Sequence, residues 1–307
     1  MGEASAARQD GDGRAPIAAQ RVADQRTRAR NRVLLAAGAI AVVVAVVLAL
    51  ALFHGSGGSS APTAGEAIRG PAGTSLSQLI RQVTGVPAAT LDQVGAGQTG
   101  ANPSSISGTA LTANGKPEML YLGAEFCPYC AAERWAMVNA LSRFGTFTGL
   151  ATIRSAARDG GGTAEPYPST PTWTFAKASY SSTYLTFTPV EMNTNIPDKA
   201  TGGYTTLQTP KQAQQALLDK YDAAYQGAIP FIDYGNKYLS VGASYDPGVL
   251  QGLTWAQIAA DLHNQASPVA KAVLGTANYM TAAICDLTND QPASACGTTM
   301  TALQAKI

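Results

Sequence analysis

The sequence predicts an α/β domain carried on a membrane anchor, and three observations lead there. The apolar run "MLYLGAEF" reads as a strand and meets "CPYC", after which apolar residues recur at helical spacing. Roughly a hundred residues on, Ile229-Pro230 precedes "FIDYGNKYL", a hairpin pattern with its turn at Tyr234-Gly235-Asn236. Near the N-terminus, "VLLAAGAIAVVVAVVLALALF" runs 21 residues without a charge.

That last stretch, Val33–Phe53, would span roughly 30 Å at about 1.5 Å per residue, the depth of a bilayer core. Before it, residues 1–32 carry seven arginines against four acids and nothing to build a core, so a disordered basic tail is expected. Almost no charge flanks the other end. The positive-inside rule puts the N-terminus in the cytoplasm and everything after Phe53 outside. A cleaved signal peptide fits less well, because Pro62 stands where a cleavage site needs a small residue. Residues 54–73 are rich in Gly, Ser, Pro and Ala and read as a flexible tether, leaving an extracytoplasmic domain at 74–307.

Within that domain, "SLSQLIRQVTGV" and "AATLDQVGAG" read as short helices. "TALTANGKPEMLYLGAEF" reads as strand, turn at Asn114-Gly115, strand. From Cys127 to about Phe144, Trp135, Met137, Val138, Leu141 and Phe144 mark a helix. Residues 146–155 are β-rich and "ARDGGGTAEPYPSTP" is a loop. The aromatic segment from Trp173 to Met192 reads as two strands around a Ser-Ser turn, or as an excursion beside the core. Its Trp173, Phe175, Tyr180, Tyr184 and Phe187 either line a groove or pack inside. "TPKQAQQALLDKYDAAY" opens with a good helix start, and "DPGVLQGLTWAQIAADLHN" reads as a final core helix. A core of about 115–265 results, with an insertion at about 156–208 and a C-terminal extension at 266–307.

Composition narrows the function. Charged residues make up only 13% of the chain and the net charge is +1, which argues against a nucleic-acid partner. The four cysteines fall in two local pairs, Cys127 with Cys130 and Cys285 with Cys296, in a compartment where disulfides persist. The two histidines, His54 and His263, are both remote from them in sequence, so a His-based metal site or a Cys-His hydrolase is poorly supplied. No metal and no cofactor are expected. Cys285 and Cys296 enclose turn formers at Asn289-Asp290 and Pro292, and either pin the extension or shuttle electrons to Cys127. The CPYC pair itself could clip a metal, staple a turn or exchange electrons.

"GAEFCPYC" followed by a helix resembles the active site of the thioredoxin superfamily, and "GAIPFIDYGNKYL" is similar to the segment holding that family's cis-proline loop. More closely, "GKPEMLYLGAEFCPYCAAERWAMVNALSRFG" and "TAAICDLTNDQPASAC" resemble a poorly characterised family of membrane-anchored thioredoxin-like proteins, a domain of unknown function. The resemblance implies a thioredoxin-like fold with a β-rich insertion and a C-terminal extension. It also implies that Cys127 is a nucleophile whose thiolate is favoured at a helix N-terminus, and that Cys130 resolves the mixed disulfide, the two forming the reversible Cys127–Cys130 disulfide. Pro128 suits the first helical position, and Tyr129 completes the dipeptide that tunes the potential. Ile229 and a cis Pro230 would face the motif and bind extended substrate. Where the superfamily carries a buried acid, six residues before the first cysteine, this chain has Tyr121; Glu125 is expected at the surface. The expected activity is thiol-disulfide exchange on cysteines of exported proteins, reset by an unknown membrane redox partner. The alternative is a membrane-tethered binding or assembly protein without redox catalysis.

Overall fold

The residues before the cysteine motif alternate in the direction they pack. Met119 and Tyr121 join one buried apolar cluster, and Leu120 and Leu122 join another. A strand buried on both faces belongs inside a sheet covered on both sides, and the computed structural model contains such a sheet. It describes residues 74–222 and 227–307. The chain divides into two units, Met1–Ala61 and Pro62–Ile307, and every described residue lies in the second. The expected tail 1–32, span Val33–Phe53 and tether 54–73 therefore lie outside the described residues. Among the described residues no helix is long and apolar enough to cross a membrane.

The domain opens with α1 (Leu76–Thr84) and α2 (Ala88–Val94), then β1 (Ser104–Ser105), β2 (Thr112–Ala113) and β3 (Lys116–Gly123). Next come α3 (Pro128–Leu141), β4 (Gly145–Thr148), β5 (Ala151–Arg154), β6 (Pro171–Thr174), β7 (Ser179–Ser182) and β8 (Thr186–Glu191). The chain continues through β9 (Asn193–Pro197), β10 (Tyr204–Thr206), α4 (Gln212–Asp222), β11 (Phe231–Tyr234) and β12 (Tyr238–Val241). A 3-10 turn at Pro247–Leu250 leads to α5 (Trp255–Asp261), α6 (Pro268–Leu287) and α7 (Thr298–Gln304).

The main sheet runs β8–β3–β11–β12–β1, with β2 paired to the start of β3. It is mixed: β8 lies parallel to β3, from Glu118 against Thr186 to Gly123 against Glu191, while β11 is antiparallel to β3 and to β12. Asn114 and Gly115 both adopt positive φ, as a two-residue hairpin turn between β2 and β3 requires. One face of the sheet is covered by the larger cluster, which includes Trp135 of α3, Ile258 of α5 and Val273 of α6. The other face carries Leu218 of α4.

Two boundaries differ from the sequence reading. The first concerns the insertion at about 156–208, because β8 falls inside it and is a full member of the main sheet. The pattern "TFTPVE" looks unlike a core strand, but β8 pairs with β3 alone. On an edge strand a proline costs no ladder bond on the open side. Residues 146–155 instead form β4 and β5, which pair with β7 and β6 in separate two-stranded sheets. Trp173, Phe175 and Phe187 are buried, and Phe187 also lines a pocket together with Phe147 and Tyr180. The second boundary concerns 266–307, where α6 is buried almost throughout from Val269 to Cys285. A helix apolar on all sides belongs in a core, and α6 packs on α3 and α2. Its approach to the loop after α2 is close enough that a Cβ on Gly275 would stand 2.8 Å from the Gly97 Cα.

Cys285, buried on α6, is bonded to Cys296, 11 residues on. Closing a loop of that size removes enough freedom from the unfolded chain to contribute about 3 kcal/mol. Replacing both cysteines by Ala should lower the unfolding free energy in urea by about 2–3 kcal/mol. A loss well under 1 kcal/mol would show that the bond is no staple.

Candidate active site at the Cys127–Cys130 turn

The chain leaves β3 at Gly123 and reaches α3 through three residues held on both sides. The Met192 N–H donates to the Gly123 carbonyl at 2.7 Å, and the Glu125 N–H donates to the Asn193 carbonyl at 2.9 Å. The Ala156 N–H donates to the Phe126 carbonyl at 2.9 Å. Cys127 then caps the helix: its backbone is extended, with φ −70° and ψ 122°, and its sulfur accepts from the Cys130 N–H at 3.3 Å. Pro128 occupies the first turn, where a missing N–H costs nothing. The Cys127 sulfur thus sits at the positive end of the helix dipole.

Cys127 and Cys130 are both free thiols in this structure. Only 4% of Cys127 is exposed and none of Cys130. Burial pushes the Cys127 thiol up, but hydrogen bonds from the Cys130 thiol and N–H, the pull of Arg134 and the Tyr129 backbone bring it below its ordinary value. Burial and the neighbouring Cys127 push Cys130 well above its own. The two thiols are thus shifted in opposite directions, Cys127 down and Cys130 up.

The remaining expected site residues gather around this sulfur. The Cys127 Sγ lies 3.8 Å from the Ile229 carbonyl oxygen, and the Ile229–Pro230 peptide bond is cis. Pro128 is buried, whereas Tyr129 is 38% exposed and meets Tyr167 edge-on at 5.8 Å. Phe126 stacks on Tyr204 at 4.0 Å. Segments around 156–170 and 193–206 therefore wall the motif on either side.

Glu125 departs from its expected place at the surface. It is half-buried, accepts from the Thr174 hydroxyl at 2.6 Å, and burial raises its carboxyl. Sequence reasoning also missed a buried ion pair directly behind the cysteines. Arg134 and Glu191 have no exposed side-chain surface. The Arg134 Nε and Nη2 donate to the two Glu191 oxygens at 2.9 and 2.6 Å, and Nη2 also donates to the Ala124 carbonyl at 2.7 Å. The Tyr121 ring lies 5.9 Å from the guanidinium carbon. One signal was available, since "ERW" puts two charges inside an otherwise apolar helix.

The profile of a domain of unknown function, DUF929, matches residues 102–286, which is more than half of the chain. The chain belongs to the DUF929 family. The match takes in the cysteine turn, Arg134, Glu191 and the Ile229–Pro230 loop, and stops short of Cys296. No curated protein and no solved structure matches this chain.

Among the described residues of this DUF929 protein, one group has metal-ligand chemistry: Cys285, Asp290 and Cys296. Its two sulfurs are joined to each other, so neither is free as a thiolate.

The other charge of the pair in α3, Glu133, is also fully buried. It accepts from the Ser244 N–H at 3.0 Å and the Ser244 hydroxyl at 2.6 Å. Burial outweighs both bonds and raises its carboxyl to about 7. Between its ordinary value of 4.5 and about 7 the folded chain holds a proton that the unfolded chain releases. The stability Glu133 contributes is thus complete below pH 4.5 and lost as the pH rises through about 7. Wild type should lose up to about 3 kcal/mol across this window relative to Glu133→Gln. Parallel pH profiles of the two proteins in urea unfolding would contradict it.

Proposed function

We propose that this chain is a membrane-anchored, extracytoplasmic thiol-disulfide oxidoreductase with a thioredoxin-like core, acting on cysteines of exported proteins. The observation that carries the reading is the Cys127 sulfur itself. It caps α3, its thiol is drawn below the ordinary value, and Cys130 lies one turn behind it. The parallel β3–β8 pair with α3 between them in sequence, followed by the antiparallel β11–β12 hairpin, supports the thioredoxin-like assignment. The location rests on the uncharged span Val33–Phe53 and the arginines before it.

In this reading the Cys127 thiolate attacks a substrate disulfide. A mixed disulfide forms and one substrate sulfur leaves as a thiolate. Cys130 gives up its proton, attacks Cys127 and expels the second substrate sulfur. The reverse sequence hands the Cys127–Cys130 disulfide to a substrate dithiol. Ile229 borders the attacking sulfur and is the backbone that an extended substrate segment would lie along.

Trapping tests the chemistry. With Cys130→Ala, Cys127 should accumulate mixed disulfides with exported proteins, while Cys127→Ala should accumulate none. Equal trapping by both would reverse the assigned roles, and trapping by neither would favour a binding or assembly protein. A reporter fused after residue 60 tests the topology. Activity only outside the cytoplasm is expected, and cytoplasmic activity would refute the compartment.

A further inference from the structure

The buried Arg134 has more donors than its partners use. Nε and Nη2 are spent on Glu191 and Ala124, but Nη1 is buried and finds no acceptor among the described residues. The Tyr121 hydroxyl, reaching in from β3, is also buried without a partner. Arg134 follows Cys130 by four residues on α3, which puts the two on one helix face one turn apart. The titratable groups that interact with the sulfurs are Arg134 and Tyr129 on their own helix, Tyr121 on β3 and Tyr204 on β10, while Glu191 on β8 and Glu125 in the connecting loop act on Arg134. Arg134 acts on both thiols and favours their ionised forms. Tyr121 is too deeply buried to give up its proton, and the Glu191 carboxylate is held by the guanidinium.

We propose that Arg134 is a positioning residue that holds the thiolate charge of the reduced pair, and that it thereby sets Cys127–Cys130 to donate its disulfide. This rests on the redox reading above. The disulfide form carries no charge on sulfur and the reduced form does, so a fixed cation stabilises the reduced form alone. A pair whose reduced form is stabilised is an oxidant of other dithiols.

In the corresponding step a substrate thiolate attacks the Cys127 sulfur of the oxidised pair. A new S–S bond forms, the Cys127–Cys130 bond breaks, and its electron pair leaves on the Cys130 sulfur beside Arg134. A second substrate thiolate then attacks the substrate sulfur of the mixed disulfide and expels Cys127 as a thiolate. The substrate loses two electrons and two protons. The pair gains the electrons and one proton, and the other proton goes to solvent. A soluble disulfide such as oxidised glutathione restores the starting bond.

The test uses the full-length protein in detergent, with thiolate ultraviolet absorbance against pH and the equilibrium with glutathione as readouts. Arg134→Met with Glu191→Leu removes both charges and leaves neither buried alone. It should raise the thiolate midpoint and shift the glutathione equilibrium about tenfold toward the Cys127–Cys130 disulfide, which is about 30 mV more reducing. Glu191→Gln keeps the cation and removes its counter-charge, so it should shift the equilibrium the opposite way. A folded double variant with both readouts unchanged would overturn the proposal, as would Glu191→Gln shifting in the same direction as the double variant. If the double variant does not fold, Glu191→Gln alone decides by its direction. A wild-type protein that never equilibrates with glutathione would overturn the redox reading and this proposal together.

Discussion

A guanidinium without exposed surface has to be met by acceptors, and the structure around the cysteines is arranged to meet one. Glu191, the last residue of β8, offers Arg134 both carboxylate oxygens, and the Ala124 carbonyl takes a third bond. The Phe175 N–H also reaches the carboxylate at 3.4 Å. Helix α3, the end of β8 and the loop leaving β3 are thus tied at one point. Removing one partner of such a pair costs about 3–5 kcal/mol, because the other charge is left stranded. A strand that pairs on one side only is held in place by this contact as well as by its ladder.

The consequence for chemistry is the placement of a helix N-terminus. Once α3 is fixed, its first turn must begin where β3 ends, and Cys127 is the residue that caps it. Burial works against a charge there, and the same burial puts Cys130 further out of reach of ionisation. The two sulfurs are therefore unequal by position: one accepts from the Cys130 N–H and lies against the Ile229 carbonyl, the other lies a turn deeper. Ring contacts of Phe126 with Tyr204 and of Tyr129 with Tyr167 flank the turn, and the first sulfur is nearly buried between them.

What the sequence made legible was local. The start of α3 at CPYC, the Asn114-Gly115 turn, the hairpin after Pro230 and the Cys285–Cys296 bond follow from short-range patterns, in which turn residues and helix caps act on their own neighbours. The longer-range features were hidden. Arg134 and Glu191 are 57 residues apart, and nothing near Glu191 marks it as the end of a sheet strand. With threonines and Pro189, β8 reads as an excursion until its single-sided pairing is known. Helix α6 reads as a tail because it carries no motif, although its lack of any polar face was itself a sign of burial. Glu125 was expected at the surface because Thr174, its partner, comes from a strand whose position the sequence does not reveal.

The central claim is that Cys127 and Cys130 form an unequal dithiol in which Cys127 is the reactive member. The rate of alkylation of each cysteine by iodoacetamide against pH, resolved by peptide mass spectrometry on the folded full-length protein, tests it directly. Cys127 should be alkylated with a midpoint below that of an ordinary thiol near 8.5, while Cys130 stays unmodified over the same range. Equal rates at the two cysteines, or a Cys127 midpoint at or above the ordinary value, would contradict the account.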